Sequence, residues 1–222
     1  MPPAAQAQAP PQQAPQQPQD DGHLVALIVT ALGTYWTAAA LTRALRAPFK
    51  AAGISGAALS AVAALMLTWP QGALEGTGPA QRWAVKANLL RRAQFMLAAA
   101  KRTQQAIVAA RSQNQPVMGA VRDALATEQR NLGLHVQAST GRIQAASAVD
   151  GMAATYGDLL GWEAVLDDHT TAECRNADHQ NFHASRPPVL SDGSVAFPGT
   201  VHVHCRCVPV GPFKGAPVLP SS

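Results

Sequence analysis

The residues of this chain that are best suited to chemistry are cysteines and histidines gathered toward the C-terminus. All three cysteines and five of the seven histidines fall between Trp162 and Pro209. The densest group is the His-x-His-Cys-x-Cys segment at 202–207. Thiolate and imidazole groups are the ligands that zinc prefers in proteins. The segment therefore indicates a metal site.

The spacing of the four residues limits how they can bind one ion. In a straight strand His202 and His204 would face one side, and Cys205 and Cys207 would face the other. A single ion therefore requires either His202 with Cys205 across a tight turn, or Cys205 with Cys207 from one strand face.

An earlier segment would complete the ligand set. Cys174 can supply one ligand, and either His179 or His183 can supply another. Such a site would hold two distant parts of the chain together. The candidate ligands of one structural zinc ion are Cys174, His179, His202, Cys205 and Cys207.

Two interpretations without a metal stay open. The cysteines can be small buried apolar residues, with the histidines hydrogen-bonded to backbone or water. Alternatively, Cys174 forms a disulfide with Cys205 or Cys207, which leaves one thiol over. Three cysteines without a recognisable export signal favour a reducing compartment.

The carboxylates around Cys174 raise the question of catalysis. Asp167, Asp168 and Glu173 could serve as a base beside a zinc-bound water, and a Cys/His pair could form a nucleophile. The His-x-Glu of zinc deaminases is missing, as are the His-Glu-x-x-His helix, the phosphate-binding glycine loop and the Gly-x-Ser-x-Gly elbow. The sequence therefore predicts that the protein is not an enzyme.

Long helices are predicted to support this region. Trp83, Leu90 and Leu97 recur every seven residues in the stretch 79–112, which is a helical pattern. A break at 114–116 precedes a second apolar stripe, and the two helices are expected to form an antiparallel hairpin. Gly133 and Gly141 each weaken the second helix, and one of them is expected to mark a break or a close helix crossing. Turn signals after residue 158 indicate short strands. The predicted fold class is mostly α, with a helical bundle or hairpin followed by a small irregular α+β module that contains the Cys/His residues.

The N-terminal part allows two interpretations. The runs 24–42 and 51–69 carry no charge and could form a membrane hairpin around a basic loop from Arg43 to Lys50. Their high alanine and glycine content instead favours two buried helices of a soluble bundle.

The predicted division of the chain is a disordered Pro/Gln/Ala tail at 1–22, an apolar helical pair at 23–72, a basic helical hairpin at 79–157, the Cys/His-rich module at 158–210 and a Pro-rich tail at 211–222.

Charge is distributed unevenly along the chain. Residues 81–130 contain nine Lys and Arg against two acids, whereas residues 150–178 contain seven acids against Arg175 alone. The basic helix 82–111 is a candidate for weak DNA contact, although no recognised nucleic-acid motif accompanies it. The acidic segment can instead pair with this helix or with a basic surface of another subunit.

A family resemblance rests on the C-terminal residues. Trp162, the stretch 168–174 and the final His-x-x-Cys-Arg-Cys at 202–207 resemble the signature of the phage Mu F-like head morphogenesis family, the minor head proteins of tailed bacteriophages. Glu128, His135 and Arg142 extend the similarity, which covers about residues 80–210. The resemblance implies a minor structural protein in prohead assembly at or near the portal. Its implied partners are the portal or major capsid protein, and its implied locations are the host cytoplasm during assembly and the virion head.

The chain departs from this family pattern at two positions. Many members carry a second cysteine where this chain has Ala177, and many carry a glycine where it has His179. The first change removes a candidate ligand, and the histidine could replace it. Histidine enters the positive-φ region less readily than glycine, so a different loop is expected here.

Overall fold

The computed structural model describes residues 21–34, 37–67, 78–202 and 204–222. The elements in chain order are α1 (Asp21–Thr34), α2 (Ala38–Ala51), α3 (Gly56–Leu67), α4 (Pro79–Ser112), α5 (Val117–Tyr156), β1 (Leu159–Glu163), α6 (Ala172–Ala177), β2 (Asn181–His183) and β3 (Val208–Val210). The fold is mostly α with a small irregular α+β module at the C-terminal end, so the predicted fold class is confirmed.

The longest helices, α4 and α5, pack against each other as an antiparallel hairpin. They are joined at Asn114, whose φ of 53° lies in the left-handed region that asparagine tolerates better than most residues. Gly133 and Gly141 both lie within α5, which continues through them, so neither glycine marks the predicted break. A Cβ at either position would meet no atom within 4 Å, so neither marks a close crossing among the described residues.

Polar contacts fix the register of this hairpin. Near the connection, Arg102 donates two hydrogen bonds of 2.6 and 2.7 Å to the carboxylate of Glu128. Glu128 is 2% exposed. Its charge would be costly without that partner, because a buried ion loses its hydration. No sequence pattern indicates that Glu128 is buried, since it lies among other polar residues.

At the far end of the hairpin, α5 caps the first turn of α4. The residue before the helix is Gly78, which has no side chain with which to cap it. The Asp150 carboxylate instead accepts hydrogen bonds from Ala80 N at 3.0 Å and Gln81 N at 2.9 Å. A Cβ on Gly78 would lie 2.0 Å from the Asp150 carboxyl carbon. The glycine therefore makes room for a cap from the other helix, in a position where negative charge is favourable.

The N-terminal part contains three described helices in place of the predicted pair. The stretch Arg43 to Lys50, predicted as a basic loop, belongs to α2. Leu41, Leu45 and Phe49 form the buried stripe of this helix and the basic residues lie outside it. A division of the sequence by uncharged runs overlooks such an amphipathic helix. Of the tail predicted at 1–22, residues 1–20 lie outside the described part of the chain, as do residues 68–77, whereas Asp21 and Gly22 belong to α1.

The three helices pack on α4 and contribute to the first apolar core, which includes Ile28, Leu41, Leu59 and Met96. Within the described ranges, no helix combines the length and the apolar character that crossing a bilayer requires.

The C-terminal module is built on a three-stranded antiparallel sheet with the order β2-β1-β3. Its core includes Leu160, Trp162, Phe182 and Phe197. This core continues into the helical hairpin, because Trp83 of α4 meets Phe197 edge to face with ring centroids 5.4 Å apart. Short strands of this kind need such support, since a small sheet is not stable alone.

The last residues pack onto this module, although a separate Pro-rich tail is predicted at 211–222. Asn181 is 2% exposed, and its side chain accepts a hydrogen bond from Phe213 N and donates one to Phe213 O. Its backbone pairs with Pro217 O and Leu219 N. Gly161 permits the close approach, because a Cβ there would lie 2.7 Å from both Gly211 O and the Phe213 ring.

The buried carboxylate of Glu128 generates an asymmetric prediction. We expect Arg102→Met to destabilise the protein by about 2–3 kcal/mol, since the carboxylate would lose its partner in a desolvated position. Glu128→Gln should cost only about 1 kcal/mol, because half-exposed Arg102 can turn to water. Urea unfolding of both variants measures the difference. A smaller loss in Arg102→Met than in Glu128→Gln would contradict this assignment.

Asp158 generates a prediction on pH. Burial raises the pKa of its carboxyl, but hydrogen bonds from Ser185 and His183 outweigh burial and hold the pKa below its ordinary value. Such a group stabilises the fold above its unfolded pKa of about 3.9, and the contribution is lost as pH falls through the lower folded pKa. Asp158→Asn should therefore be less stable than the wild type at pH 7.

The expected stability difference between the wild type and Asp158→Asn shrinks as the pH falls below about 4. Urea unfolding over the range from about pH 7 to pH 3 measures it. Asp123→Asn, an exposed carboxyl change on α5, is the matched control. A difference that stays constant down to the acid end would show that the carboxylate charge at 158 does not stabilise the fold.

Candidate metal centre

The first ligand candidate, Cys174, lies in the short helix α6. Thr171 begins this helix, and its hydroxyl accepts a hydrogen bond from Cys174 N at 3.5 Å. The cysteine side chain is 1% exposed and belongs to the core of the C-terminal module. Its sulfur is therefore positioned by the packing of the helix.

The second segment reaches the same place through two turns. Thr200 closes the first turn, because its hydroxyl donates to Phe197 O at 2.8 Å and accepts from Phe197 N at 2.9 Å. In the second turn, Cys205 N donates to His202 O at 3.2 Å, and His204 has a φ of 64°. The tight turn brings His202 and Cys205 to the same side, which a straight strand would not do.

These turns place the loop directly over α5. Gly199 has a φ of 78°, and a Cβ added to it would lie 2.7 Å from the Ala145 Cβ. The glycine therefore serves both the turn and the close approach of the loop to the helix.

The two segments meet at a group of three potential metal ligands. Cys174 Sγ lies 3.5 Å from His202 Nε2 and 3.8 Å from Cys205 Sγ. All three ligand atoms lie within 4.8 Å of one another. The cysteines are separate thiols without a disulfide. This is a spacing from which one tetrahedral ion can be bound, since zinc ligand bonds are about 2.0–2.3 Å long.

Cys207 lies beside this group and also contacts Trp162. Its side chain is buried, and it interacts with the sulfurs of Cys205 and Cys174 as well as with the indole of Trp162. The Trp162 Nε1 atom is buried and forms no hydrogen bond of normal geometry with the described residues. A thiolate at Cys207 would give this N–H an acceptor, and metal-bound thiolates are commonly stabilised by such donors.

The thiols share their protons unequally. The pKa of Cys205 is lowered to about 5, mainly because the Cys207 side chain donates toward its sulfur. Burial opposes this effect. The Cys207 backbone N–H and the charge of His202 lower the pKa further. The interaction with Cys205 and burial raise the pKa of Cys207. Burial also raises the pKa of Cys174. The lowered pKa makes Cys205 the thiol of the three that most readily loses its proton.

The other candidate histidines lie elsewhere. The His179 side chain is 68% exposed, and its Nδ1 is 2.9 Å from the Asp178 carboxylate. Its φ of 56° is in the left-handed region, so the loop keeps a glycine-like conformation in spite of the side chain. His183 pairs with Asp158 at 2.9 Å. Neither joins the group of Cys174, His202 and Cys205, so the suggested replacement of a missing cysteine by His179 does not occur in this structure.

Asp167 and Arg206 form an ion pair at the rim of the centre. Asp167 also accepts from His169 N at 2.9 Å and from the Thr170 hydroxyl at 3.1 Å. The Arg206 side chain, by hydrogen-bonding to this carboxylate, lowers the pKa of Asp167 to about 2. The pair joins the loop before α6 to the loop after Cys205. The sequence suggested Asp167 only as a base or a surface carboxylate, because nothing in its spacing points to Arg206.

Comparison with protein families, with characterised proteins and with solved structures gives no match to this chain. The site is therefore interpreted from its own residues. A cavity of about 590 Å³ opens over it, lined in part by Val165, His169 and His204. The arrangement can bind a soft or borderline metal ion through two sulfurs and one imidazole, with a third sulfur alongside.

Proposed function

We propose that the protein is a structural assembly protein whose C-terminal module is held closed by one zinc ion. The observation that carries this proposal is the convergence of Cys174, His202 and Cys205, which come from segments about thirty residues apart. An ion bound there would cross-link α6 to the loop before β3. Such a link stabilises a small module because it is absent from the unfolded chain.

Zinc suits this donor set better than a hard cation. Magnesium and calcium prefer oxygen ligands, whereas sulfur and imidazole suit zinc. Cys174, His202 and Cys205 would bind the ion, and Cys207 is the candidate for the fourth position, with the Trp162 N–H facing its sulfur. When bound, zinc would keep the thiols deprotonated and fix the loop.

Several features support a structural role over a catalytic one. Zinc sites with several thiolates and all four ligands from the protein are typically structural. The nearby Asp167 carboxylate is committed to Arg206 and to the turn before α6. The sulfur at Cys174 is buried in the module core. We therefore assign the centre to stability and shape.

The proposed setting is the head of a tailed phage. The support is the resemblance to the phage Mu F-like head morphogenesis family at Trp162, residues 168–174 and residues 202–207. Cys174, His202 and Cys205, which belong to two of these segments, meet at one centre in the fold. The proposed role is prohead assembly at or near the portal, in contact with the portal or major capsid protein. It places the protein in the host cytoplasm during assembly and then in the virion head.

The zinc assignment predicts the metal content of purified protein. We expect about one zinc per reduced, tag-free chain by elemental analysis, and a large loss in Cys174→Ser and Cys205→Ser, because each variant removes a ligand. His179→Ala is the matched control and should retain the metal. Proteolysis should then cut residues 162–209 faster in the two serine variants while the long helices persist.

The same measurements can contradict the zinc assignment. Folded wild-type protein without metal, after exposure to zinc under reducing conditions, would show that the cluster is a packing feature. Equal metal content in the wild type and both serine variants would place the metal elsewhere.

The assembly role predicts comigration with proheads. When the chain is produced together with the portal and major capsid proteins of its own phage, it should sediment with the assembled particles. Cys174→Ser should weaken this association if the closed module makes the contact, and His179→Ala should leave it unchanged. A wild-type chain that stays at the top of the gradient while particles form would contradict the role in the head without affecting the zinc assignment.

A further inference from the structure

A second cavity lies in the groove between α4 and α5, away from the cysteines. It has a volume of about 400 Å³. Its lining includes Arg91, Gln94 and Phe95 from α4 and Leu134, His135 and Arg142 from α5. Among the described residues, the lining thus contains two guanidinium groups and an imidazole, and no carboxylate.

Arg142 is the most unusual of these groups. This residue is only 7% exposed, and its Nη1 donates a hydrogen bond of 2.7 Å to Asn88 Oδ1. Asn88 is itself oriented by a hydrogen bond from its Nδ2 to Ser139 O at 3.0 Å. The ion pairs of the described residues do not include Arg142. A guanidinium removed from water to this extent is normally compensated by an anion.

A second guanidinium, that of Arg91, adds to the positive charge of the groove. Burial lowers the pKa of Arg91, which likewise forms no ion pair with a described carboxylate. Burial, followed by the charges of Arg91 and Arg102, lowers the pKa of His135. The nearby acid, Glu128, is already paired with Arg102 through both oxygens. The groove therefore has an excess of positive charge that its own residues do not balance.

The rim of the groove is apolar. Leu134 is 64% exposed, although it lines the cavity. The floor is the buried ring of Phe95, which lies 4.9 Å from the His135 ring between centroids. A ligand that fits this surface carries an oxyanion beside apolar atoms. An acidic side chain next to an aliphatic one has this character, whereas a nucleic-acid backbone carries its phosphates on a polar chain.

We propose that the groove between α4 and α5 binds a carboxylate side chain of a partner protein between Arg91 and Arg142, with a neighbouring apolar side chain of the partner on Leu134. Guanidinium groups bind carboxylates through paired hydrogen bonds, which gives direction as well as affinity. The inference depends neither on the zinc ion nor on the phage setting, because it rests on the charge and shape of the groove.

Basic residues elsewhere on α4 are less suited to such a ligand. Lys101 pairs with Asp21, and Arg92 donates to Met66 O in a buried position. The predicted DNA contact through helix 82–111 would use the exposed residues outside the groove. A nucleic acid is therefore a competing ligand that the experiment can separate from a peptide.

The test uses the full chain and short blocked peptides. N-acetyl-Leu-Glu-Leu-amide is titrated while NMR follows the arginine Nε–H and His135 ring signals. The matched peptide N-acetyl-Leu-Gln-Leu-amide removes only the charge. Inorganic phosphate and an oligothymidylate are titrated in the same way, to test whether the groove binds a free phosphate or a nucleic acid instead of a carboxylate. The protein variants are Arg91→Gln and Arg142→Lys, and Arg122→Gln is the control, because it removes a positive charge from an exposed site on α5 outside the groove.

The Glu peptide should shift the groove signals, and the Gln peptide should bind at least about tenfold more weakly, since a hydrogen-bonded charge is lost. Arg91→Gln should reduce the affinity for the Glu peptide by a similar factor, and Arg142→Lys should reduce it because the paired geometry is lost. Arg122→Gln should leave it unchanged. Because Arg91 is half-buried and carries no ion pair, its variant keeps the test valid if Arg142→Lys unfolds.

Three outcomes would overturn the proposal. The first is equal binding of the Glu and Gln peptides, or no binding of either. The second is an unchanged affinity in Arg91→Gln. The third is an oligothymidylate that binds more tightly than the Glu peptide and loses this affinity in Arg91→Gln, which would make the groove a phosphate site. A shift of the signals by inorganic phosphate with no response to either peptide is a case of the first outcome.

Discussion

The polar pairing of α4 with α5 is the interaction on which the rest of this structure depends. Polar contacts along the hairpin hold it: the Arg102–Glu128 ion pair, the hydrogen bonds of Asn88 with Arg142 and Ser139, and the Asp150 cap on the first turn of α4. A shift of one helix turn along the other would break all of them together. The hairpin therefore offers a fixed platform to both of its neighbours, the N-terminal helices and the C-terminal module.

The C-terminal module uses that platform because its own sheet is small. Its strands have three to five residues. Trp162 and Phe182 fill the centre, with ring centroids 6.0 Å apart, and the contact of Phe197 with Trp83 joins them to α4. Single polar residues also stabilise the module, because each forms hydrogen bonds with several backbone groups. Asn181 is the clearest of them. A metal cross-link between α6 and the loop before β3 would add a further constraint to this module.

The long helices were predictable because apolar residues at regular spacing leave few alternatives for a chain of this length. The amphipathic helix α2 was missed because its charges interrupt an otherwise apolar stretch, and attention to charge alone hides the stripe of Leu41, Leu45 and Phe49. The Cys/His segments were recognised from residue type. Which histidine faces the sulfurs was not predictable, since that depends on the turn at His202 to Cys205 and on the left-handed conformation of His179. The pairing of Arg206 with Asp167 and the cap from Asp150 are contacts between distant residues that no local pattern encodes.

The contact between Gly199 and Ala145 bears on how this protein tolerates substitution. The loop that carries His202 and Cys205 rests on the surface of α5, at a point where any added atom would meet the Ala145 methyl group. The height of the loop above the helix, and with it the position of two candidate ligand atoms, is therefore set by the small side chain of Ala145, which is not a candidate ligand itself. Sequence variation at position 145 would be restricted by volume, and relatives of this chain that carry a larger residue there would need a compensating change in the loop.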